Sequence, residues 1–500
     1  MSHNRPGNTT ALTTRQQILF GLGTLGIEAP QTIIVQLQLY FTKYLGYPAS
    51  ILSNVRGFAI LFDAFIDPLV GYISDRTASR FGRRMPYIAM GSLFFAFGVI
   101  GMWFAPQGLT PLQFYAYLIV MQIVYSIGFT MVTIPYAALI PELATEYGAR
   151  TRIVSWRQAG TYVGTSWGGL IRAYATWRGD EVRGFQEFAV FASILMMVCL
   201  WAFVLLLKEP VPAVDHRQRA WAQRAGAKTF MKSHLIGLVR SLSFTFRDRQ
   251  FVVLFLANFA AQAGILAGLW MYTFLLDDWF GKTWNTPFAQ TVLVGPLSPF
   301  RDAFFLYIFF AIGCGLVFLP VWNWIGRYLD KRACLTIGII GVGSVYGASY
   351  FLFAPKSFPL LIGYCLLQSF FYCAVYVFPA SMLADVASYS EWKTGESNDG
   401  VYYGASSFLI KLYNAAAIFW TGFALDYIVR YQPGEGIVQS AETLYRMRLL
   451  YAFPAFGLAF VAALILRGYK LDRQTMTRIT NELNARKSVN IHANTENRTG

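Results

Sequence analysis

The sequence predicts an all-α membrane protein with twelve transmembrane helices arranged as two six-helix bundles. Apolar residues make up 55% of the 500-residue chain and charged residues only 13%, about half the usual share of a soluble protein. So few charges could not cover so much apolar surface in water. Apolar stretches long enough to cross a bilayer core of ~30 Å as helices recur along the whole chain.

Twelve apolar segments give the predicted helices, and a polar stretch divides them into two sets of six. The helices run near 16–42, 48–74, 86–106, 112–141, 152–176, 187–208, 250–279, 303–325, 333–354, 357–386, 401–429 and 445–468. The predicted organisation is a cytoplasmic tail 1–15, a bundle 16–208, a cytoplasmic central loop 209–249, a second bundle 250–469 and a cytoplasmic tail 470–500. Within the loop, residues 229–245 mix apolar and basic side chains, which fits either an interfacial helix or a solvated linker.

The distribution of lysine and arginine predicts the orientation. The net charge of +15 would favour nucleic-acid binding in a soluble chain, but here the excess lies in loops and tails. Basic loops follow the second, fourth and eighth helices, at 75–84, 150–152 and 327–332. By the positive-inside rule these loops and both termini are cytoplasmic. We therefore expect a multi-pass protein of a bacterial inner membrane, with the lipid bilayer and no nucleic acid as its partner.

The positions of the cysteines and histidines in the sequence exclude several kinds of site. The five cysteines lie in or beside apolar segments with no CxxC pair, so neither a disulfide framework nor a zinc site is expected. All four histidines lie in the tails or the central loop, which leaves any proton transfer in the membrane to carboxylates. The sequence shows no catalytic nucleophile, metal or phosphate-binding constellation. Neither an enzyme nor a cofactor is expected.

Two carboxylates in the second predicted helix point to a cation site. A charge at the centre of a membrane helix costs about 2.5–3.5 kcal/mol on insertion scales, so such residues usually face a cavity and have a function. Asp63 and Asp67 are four residues apart and share one helix face. They repel each other unless one takes a proton or a cation lies between them. The pair therefore predicts a site for the coupling ion, which is a metal site if that ion is Na⁺. The alternative is that both carboxylates bind arginines of the loops and form a gate of the transport path.

Three further ionisable residues lie in predicted helices. Lys411 stands eleven residues into an otherwise apolar helix. Pairing with Asp63 or Asp67 would keep its amino group charged there. The alternative is that the side chain extends to the membrane interface. Glu28 lies in the first helix, and Arg157 near the cytoplasmic end of the fifth. These residues are candidates for contact with substrate or ion.

Polar and aromatic residues suggest a sugar site. The candidate hydrogen-bonding amides in the first helix are Gln31, Gln36 and Gln38, and the candidate platforms for a sugar ring are Trp156, Tyr372 and Tyr376. Aromatic residues make up 17% of the chain, and most of them serve packing or interface anchoring. The adjacent acids Asp277 and Asp278 resemble the metal-binding dyad of a membrane glycosyltransferase, but no second acidic or histidine partner accompanies them. We therefore expect them to be solvated at a helix end.

A weak internal repeat supports two related halves. GYISDRTASRFGRR (71–84) follows the second predicted helix, and WIGRYLDKR (324–332) follows the eighth, at the same place in the second half. Parallel six-helix repeats that handle a substrate between them near the midplane are typical of the major facilitator architecture.

Three longer motifs resemble the glycoside–pentoside–hexuronide:cation symporters, the melibiose permease family. They are LFDAFIDPLVGYISDRTASRFGRRMPYI (61–88), TIPYAALIPELATEYGARTRIVSWR (133–157) and MLADVASYSEWKTGESNDGVYYGASSFLIK (382–411). The resemblance implies a major facilitator fold that moves a small-molecule sugar or glycoside together with Na⁺, Li⁺ or H⁺ by alternating access. The alternative is a cation-coupled carrier of a lysolipid-like amphiphile, because such carriers share this ancestry. A non-transporting sensor on the same fold is a further alternative. Counterflow of labelled substrate would distinguish a sensor from a carrier.

The resemblance assigns residues to a cation site. Asp63 and Asp67 match the family's aspartates in the D-A-x-x-D-P motif, and Lys411 matches the lysine linked to that site. Where the melibiose permease has an aspartate before I-P, this chain has Thr133, which we expect to serve as a hydroxyl ligand.

The resemblance also assigns residues to a sugar site. Glu28 stands in the place of a first-helix aspartate implicated in sugar binding, and the family's sugar-binding arginine aligns with either Arg157 or Gln158. Ala137 replaces a tryptophan of the melibiose permease, so α-galactoside specificity is not expected.

Overall fold

The computed structural model describes residues 13–207, 243–281 and 301–485, apart from 78, 80, 107, 144–146, 354, 356, 396–398 and 484. Helices and no strands occur in this part of the chain, which confirms the all-α class. In order the helices are α1 (Thr14–Ile33), α2 (Ala49–Arg76), α3 (Met85–Trp103), α4 (Pro111–Leu143), α5 (Tyr147–Thr165), α6 (Trp167–Arg178), α7 (Glu181–Leu206), α8 (Arg249–Leu275), α9 (Ala303–Ile325), α10 (Lys331–Leu352), α11 (Phe358–Thr394), α12 (Asp399–Phe423) and α13 (Ala441–Leu466).

Ten helical segments within the described ranges are long and apolar enough to cross a membrane. The predicted second and fifth spans are not among them, and both α2 and the α5–α6 pair carry several charged residues. The fifth predicted helix is also divided at Ser166, whose hydroxyl donates to the Val163 carbonyl at 2.6 Å. A side chain that binds the backbone locally competes with the helical hydrogen bonds, and two glycines follow it in α6.

The chain forms two compact units whose limits cut across the order of the sequence. The first comprises Met1–Met231, Leu276–Phe309 and Gly422–Gln439, and the second Lys232–Leu275, Phe310–Thr421 and Ser440–Gly500. The predicted bundle 16–208 falls entirely in the first unit, whereas parts of 250–469 fall in each. The predicted domain boundaries stay a prediction, and most of the central loop, including 229–242, lies outside the described residues.

Three helices end in turns that are not α-helical. After α1 the chain continues through a 3₁₀ turn, Ile34–Gln36, and ends in a π-helical turn, Tyr40–Tyr44. α8 and α12 likewise end in π-helical segments, Leu276–Gly281 and Ala424–Val429. Such π segments are rare and occur frequently at functional sites. In α8 and α12 they begin within two residues of the point where the chain passes from the second unit to the first.

Small residues bring α1 and α5 together in the first unit. Gly160 and Gly164 are four residues apart on α5, and a Cβ at either would collide with α1, at Gly21 and Glu28 respectively. This is the close packing that small residues at four-residue spacing permit between membrane helices. The Thr32 hydroxyl then donates to the Gly164 carbonyl at 2.9 Å. Glu28 is therefore held directly against α5.

The internal repeat is visible as a corresponding contact in each unit. Arg84, at the start of α3, donates to the Ala138 carbonyl of α4. Lys331, at the start of α10, donates to both carboxylate oxygens of Asp385 in α11 at 2.7 and 2.8 Å. In both halves a basic residue after the second helix thus ties the third helix to the fourth.

Candidate functional site

The two predicted cation-site carboxylates lie half-buried on α2, and α4 supplies a partner for one of them. The Thr130 hydroxyl, 1% exposed, donates to Oδ1 of Asp67 at 3.0 Å. Asp63 lies one turn earlier on the same face of α2. The arrangement offers two carboxylates and a hydroxyl oxygen, the oxygen ligands that a hard cation prefers.

Sequence reasoning missed Thr130 because a lone threonine in a membrane helix carries no signal of its own. Thr133 was expected to be the hydroxyl ligand, and in the structure its hydroxyl donates to the Phe129 carbonyl of its own helix at 2.9 Å. Its assignment stays a prediction. Thr130 lies three residues before Thr133 and outside the motif that begins there.

Arg56 is a second residue that the sequence analysis overlooked. It lies on α2, seven residues before Asp63, so two helical turns place it on the face that carries both carboxylates. Its guanidinium donates to the Ile34 carbonyl at 3.1 Å, in the 3₁₀ turn after α1. A positive charge therefore accompanies the carboxylates within the first unit. Lys411 lies half-buried on α12 in the second unit, and its pairing with Asp63 or Asp67 stays a prediction.

The described residues also bear on larger groups of metal-binding side chains. No group of three or more His, Cys, Asp or Glu side chains suited to a metal occurs in the described part of the chain.

The predicted sugar-contact residues of the first unit lie on α1 and α5. The Arg157 guanidinium lies over the Tyr136 ring at 5.5 Å, which is within the range of a cation–π contact. Glu28, Gln31 and Arg157 are half-buried. Trp156 is 38% exposed and its ring lies close to Gly21 of α1. Gln158 is exposed, so Arg157 is the more enclosed of the two residues that align with the family's arginine.

Two glutamines of the first span differ in their partners. The Gln38 amide donates to the Ser53 hydroxyl at 2.9 Å. Gln36 is fully buried in the 3₁₀ turn after α1, and neither its amide nitrogen nor its oxygen has a hydrogen-bond partner among the described residues. Leaving a buried polar group without a partner costs about 1–3 kcal/mol.

The second unit contains a cavity of about 600 Å³ between α8, α11 and α12. Both predicted aromatic platforms of this unit, Tyr372 and Tyr376, line it, and Tyr376 is 68% exposed. Its polar lining residues, besides these two, are Asn258, Gln262, Tyr403, Ser406, Ser407, Tyr413 and Asn414. Its volume lies within the range of about 300–1,000 Å³ typical of small-molecule sites.

A buried ion-pair cluster contradicts the expectation that Asp277 and Asp278 are solvated. The Asp277 side chain is fully buried, and it binds both Arg172 of α6 and Lys43, whose Nζ lies 3.1 Å from Oδ2. Lys43 also binds Oδ1 of Asp278 at 2.6 Å, and Arg172 lies 3.5 Å from Oδ2 of Asp302. The partners of these acids are distant in the sequence, which is why no local pattern revealed them.

The segment after α12, which belongs to the first unit, makes two more contacts within that unit. Tyr431 donates to Oδ2 of Asp278 at 2.8 Å. Burial, reinforced by that carboxylate, raises the pKa of Tyr431 well above its ordinary value, so the phenol remains a donor at neutral pH. The Asp426 carboxylate accepts from the backbone N–H groups of Ala49 and Ser50 at 2.9 and 2.8 Å. A negative charge at the N-terminus of α2 is electrostatically favourable.

Comparison with known proteins gives similarity over nearly the whole chain. The family model described as MFS/sugar transport protein matches residues 19–473. An uncharacterised symporter of Synechocystis is 27% identical over 98% of this chain and 100% of its own length. A putative sulfoquinovose importer of Salmonella typhimurium is 26% identical over 98% of this chain and 96% of its own.

Solved structures show the same fold at lower identity. The inward-open xylose transporter of E. coli superposes with a TM-score of 0.59 and 13% identity, over 93% of this chain and 98% of its own. This likeness shows the fold alone, which is the major facilitator fold that the sequence predicts.

Proposed function

The chain belongs to the MFS/sugar transport family, and we propose that it is a secondary active transporter that imports a sugar or glycoside together with a monovalent cation. The transporter exposes its substrate alternately to the two sides of a bacterial inner membrane, with both termini in the cytoplasm. It acts by binding and release rather than as an enzyme. The similarity to a symporter and to an importer of a sugar derivative supports this proposal.

The observation that carries the cation-coupled mechanism is the pair Asp63 and Asp67 with the Thr130 hydroxyl. Two carboxylates on one face of a membrane helix are costly as bare charges. A bound Na⁺, Li⁺ or proton removes that cost. The site is therefore most stable when the coupling ion is bound, and Thr130 holds Asp67 in place for it.

Coupling requires that the ion and the sugar stabilise each other's binding, typically by about 1–3 kcal/mol. Glu28 and Arg157 belong to the same unit as the carboxylates and are the proposed contacts for sugar hydroxyls, with Gln31 and Trp156. Arg56, on the face of α2 that carries both carboxylates, is a candidate to respond to the presence of the cation.

Uptake into proteoliposomes tests the proposed function. The purified full chain is reconstituted, and labelled pentosides, hexosides, uronides and a lysolipid are offered with an imposed Na⁺ gradient, a proton gradient, or neither. We expect at least one sugar to accumulate against its gradient when one of the cations flows inward. Accumulation of the lysolipid with no sugar uptake would contradict the sugar assignment and favour the amphiphile carrier.

Glu28→Gln is expected to weaken sugar binding while leaving cation binding measurable. The carboxylate accepts hydrogen bonds from hydroxyls more strongly than an amide, and a lost acceptor for a buried hydroxyl costs about 1–3 kcal/mol. Titration of sugar binding, with and without the cation, measures the effect. Glu187→Gln is the matched control, because Glu187 is exposed and pairs with Arg178. An unchanged sugar affinity in Glu28→Gln would place the sugar contacts elsewhere.

Lys411→Ala is expected to impair cation-coupled transport if Lys411 compensates the charge of Asp63 and Asp67. A second change, Asp63→Asn or Asp67→Asn, would then recover part of the stability or binding lost. Lys393→Ala, at the exposed end of α11, serves as the control. Full transport by Lys411→Ala alone would exclude this role and leave Arg56 as the compensating charge.

A further inference from the structure

α2 and α4 lie against each other in parallel, in a register that two contacts define. The Thr130 hydroxyl of α4 donates to Asp67 of α2, which lies 63 positions earlier in the sequence. One turn later, a Cβ at Gly71 of α2 would lie 3.5 Å from Cγ2 of Ile134, and these two residues have the same separation in sequence. The two helices therefore run in the same direction, and residues with this separation lie at the same level.

The same register places Ser126 of α4 beside Asp63 of α2. Both residues lie one turn before the contact between Thr130 and Asp67, and they have the same separation in sequence. A step of four residues moves each position by about 6 Å along its helix and keeps it on the same face. Ser126 therefore lies next to the first carboxylate of the pair as Thr130 lies next to the second.

The Ser126 hydroxyl is buried and lacks a partner. The residue is 0% exposed, and its Oγ makes no hydrogen bond with any described residue. A serine or threonine hydroxyl in a helix can donate to the carbonyl one turn earlier, as Ser193 does at 2.8 Å and Thr133 at 2.9 Å. Because Ser126 makes no such bond, the protein alone does not compensate the burial of its hydroxyl.

A metal cation held between α2 and α4 would compensate this hydroxyl. A hard cation prefers oxygen ligands, and protein oxygens can replace the water around an ion. Two ligands of one cation do not need to bond each other. A proton on Asp63 would instead favour a direct hydrogen bond to Ser126, and Oγ of Ser126 makes none with any part of the chain that the structure describes. The chemistry of the site therefore favours a metal cation.

We propose that the Ser126 hydroxyl joins the Thr130 hydroxyl and the two carboxylates of α2 as a ligand of the coupling ion. That ion is a small alkali cation, Na⁺ or Li⁺, rather than a proton. The inference rests on the proposed function, in which it identifies a residue that selects the ion. Ser126 lies outside the three motifs that carry the family resemblance, and its buried hydroxyl together with the register of α2 and α4 supports the assignment.

Equilibrium binding of radioactive Na⁺ to the purified full chain tests the proposal without sugar or transport. The wild type should bind Na⁺ saturably at neutral pH, and Li⁺ should compete. Ser126→Ala should weaken Na⁺ binding about tenfold, because a ligand of a buried charge is lost. Alanine is as small as serine, so the packing of α4 against α2 is kept. A wild type without saturable Na⁺ binding, or a Ser126→Ala variant with unchanged affinity, would overturn the proposal.

The matched control is Ser193→Ala. Ser193 is also buried in the first unit, at 1% exposed, but its hydroxyl donates to the Ala189 carbonyl of its own helix. Its removal should leave the Na⁺ affinity unchanged. Equal losses of affinity in Ser126→Ala and Ser193→Ala would contradict a specific role of Ser126.

Thermal unfolding separates a lost ligand from a lost packing contact. Without Na⁺, Ser126→Ala should melt at the same temperature as the wild type. At one fixed Na⁺ concentration the wild type should be stabilised more than the variant, because bound ligand raises stability in proportion to its occupancy. A variant that melts lower without Na⁺ and gains as much from Na⁺ as the wild type would assign Ser126 to packing and overturn the proposal. Na⁺ binding by the wild type remains decisive if the variant fails to fold.

Failure of this proposal and failure of the proposed function are separable. Saturable Na⁺ binding that depends on Ser126, without uptake of any sugar, would refute transport and support the ion ligand. Sugar uptake driven by a proton gradient, with no Na⁺ binding, would support symport and refute the ion ligand. Na⁺-driven sugar uptake that requires the same Na⁺ concentration in Ser126→Ala as in the wild type would also support transport and refute the role of Ser126.

Discussion

Asp63→Asn and Asp67→Asn are each expected to abolish cation-driven accumulation of sugar while leaving sugar binding or sugar–sugar exchange measurable. Each change removes one of two charges on the same face of α2, and with it the electrostatic need for a bound cation. The fold has little reason to change, because the amide occupies the same volume. Uptake into proteoliposomes with and without an imposed Na⁺ or proton gradient measures the loss.

The matched control for both variants is Asp330→Asn. Asp330 is exposed at the start of α10, and its side chain makes no capping hydrogen bond. The Asp330→Asn variant should transport sugar like the wild type. Full gradient-driven accumulation by Asp63→Asn and Asp67→Asn would place the coupling site elsewhere and remove the main support for this mechanism.

Two threonine variants test which hydroxyl serves the cation site: that of Thr130, which contacts Asp67 in the structure, or that of Thr133, which the family resemblance assigns. Thr130→Val removes the hydroxyl that donates to Asp67 and should raise the cation concentration needed for half-maximal uptake. Thr133→Val removes a hydroxyl that donates within its own helix. A comparable rise for Thr133→Val would show that Thr133 is also a ligand.

Arg172→Met is expected to be the most destabilising single change in the first unit. Removing the guanidinium leaves the buried carboxylates of Asp277 and Asp302 short of a counterion, and breaking a buried pair in this way costs about 3–5 kcal/mol. The apparent melting temperature of the purified protein, at one scan rate and in one detergent, reports the loss.

The control lies on the same helix. Arg178 pairs with Glu187 at 3.3 Å, but both side chains are 43% exposed, and exposed pairs contribute only about 0–1 kcal/mol. Arg178→Met should therefore leave the melting temperature nearly unchanged. Adding Asp277→Leu to Arg172→Met should recover part of the stability, since the uncompensated charge is then removed. Equal melting temperatures for Arg172→Met and Arg178→Met would contradict the structural importance of the cluster.

The amino-acid sequence was sufficient to predict the elements that depend on local composition. Long apolar segments gave the helices, and four-residue spacing gave the shared face of Asp63 and Asp67. Three features of the structure lay beyond sequence reasoning for one physical reason. The partners of Asp277, the role of Thr130 and the cap that Asp426 places on α2 all depend on helices that meet in space but are far apart in sequence.

Irregular helix geometry was also beyond sequence reasoning. The π-helical ends of α8 and α12 carry ordinary apolar and acidic residues, LDDWFG and ALDYIV, with no proline or glycine at their starts. Both segments make contacts with residues distant in the sequence, through the ion pairs of Asp277 and the cap formed by Asp426. Burial in such contacts overrides the intrinsic preference of a short segment.

The first compact unit contains the segments that follow α8 and α12, and this arrangement affects the order in which the unit can fold during synthesis. Domains of nascent chains generally fold in order from the N-terminus, but Lys43 and Arg172 enter the membrane before Asp277, Asp278 and Asp302 have been synthesised. The first unit therefore holds two cations without their counterions until translation has passed the central loop, and gains Tyr431 later still. A gene cut at that loop should yield an N-terminal fragment that is degraded when expressed alone. Co-expression with the C-terminal fragment should rescue it.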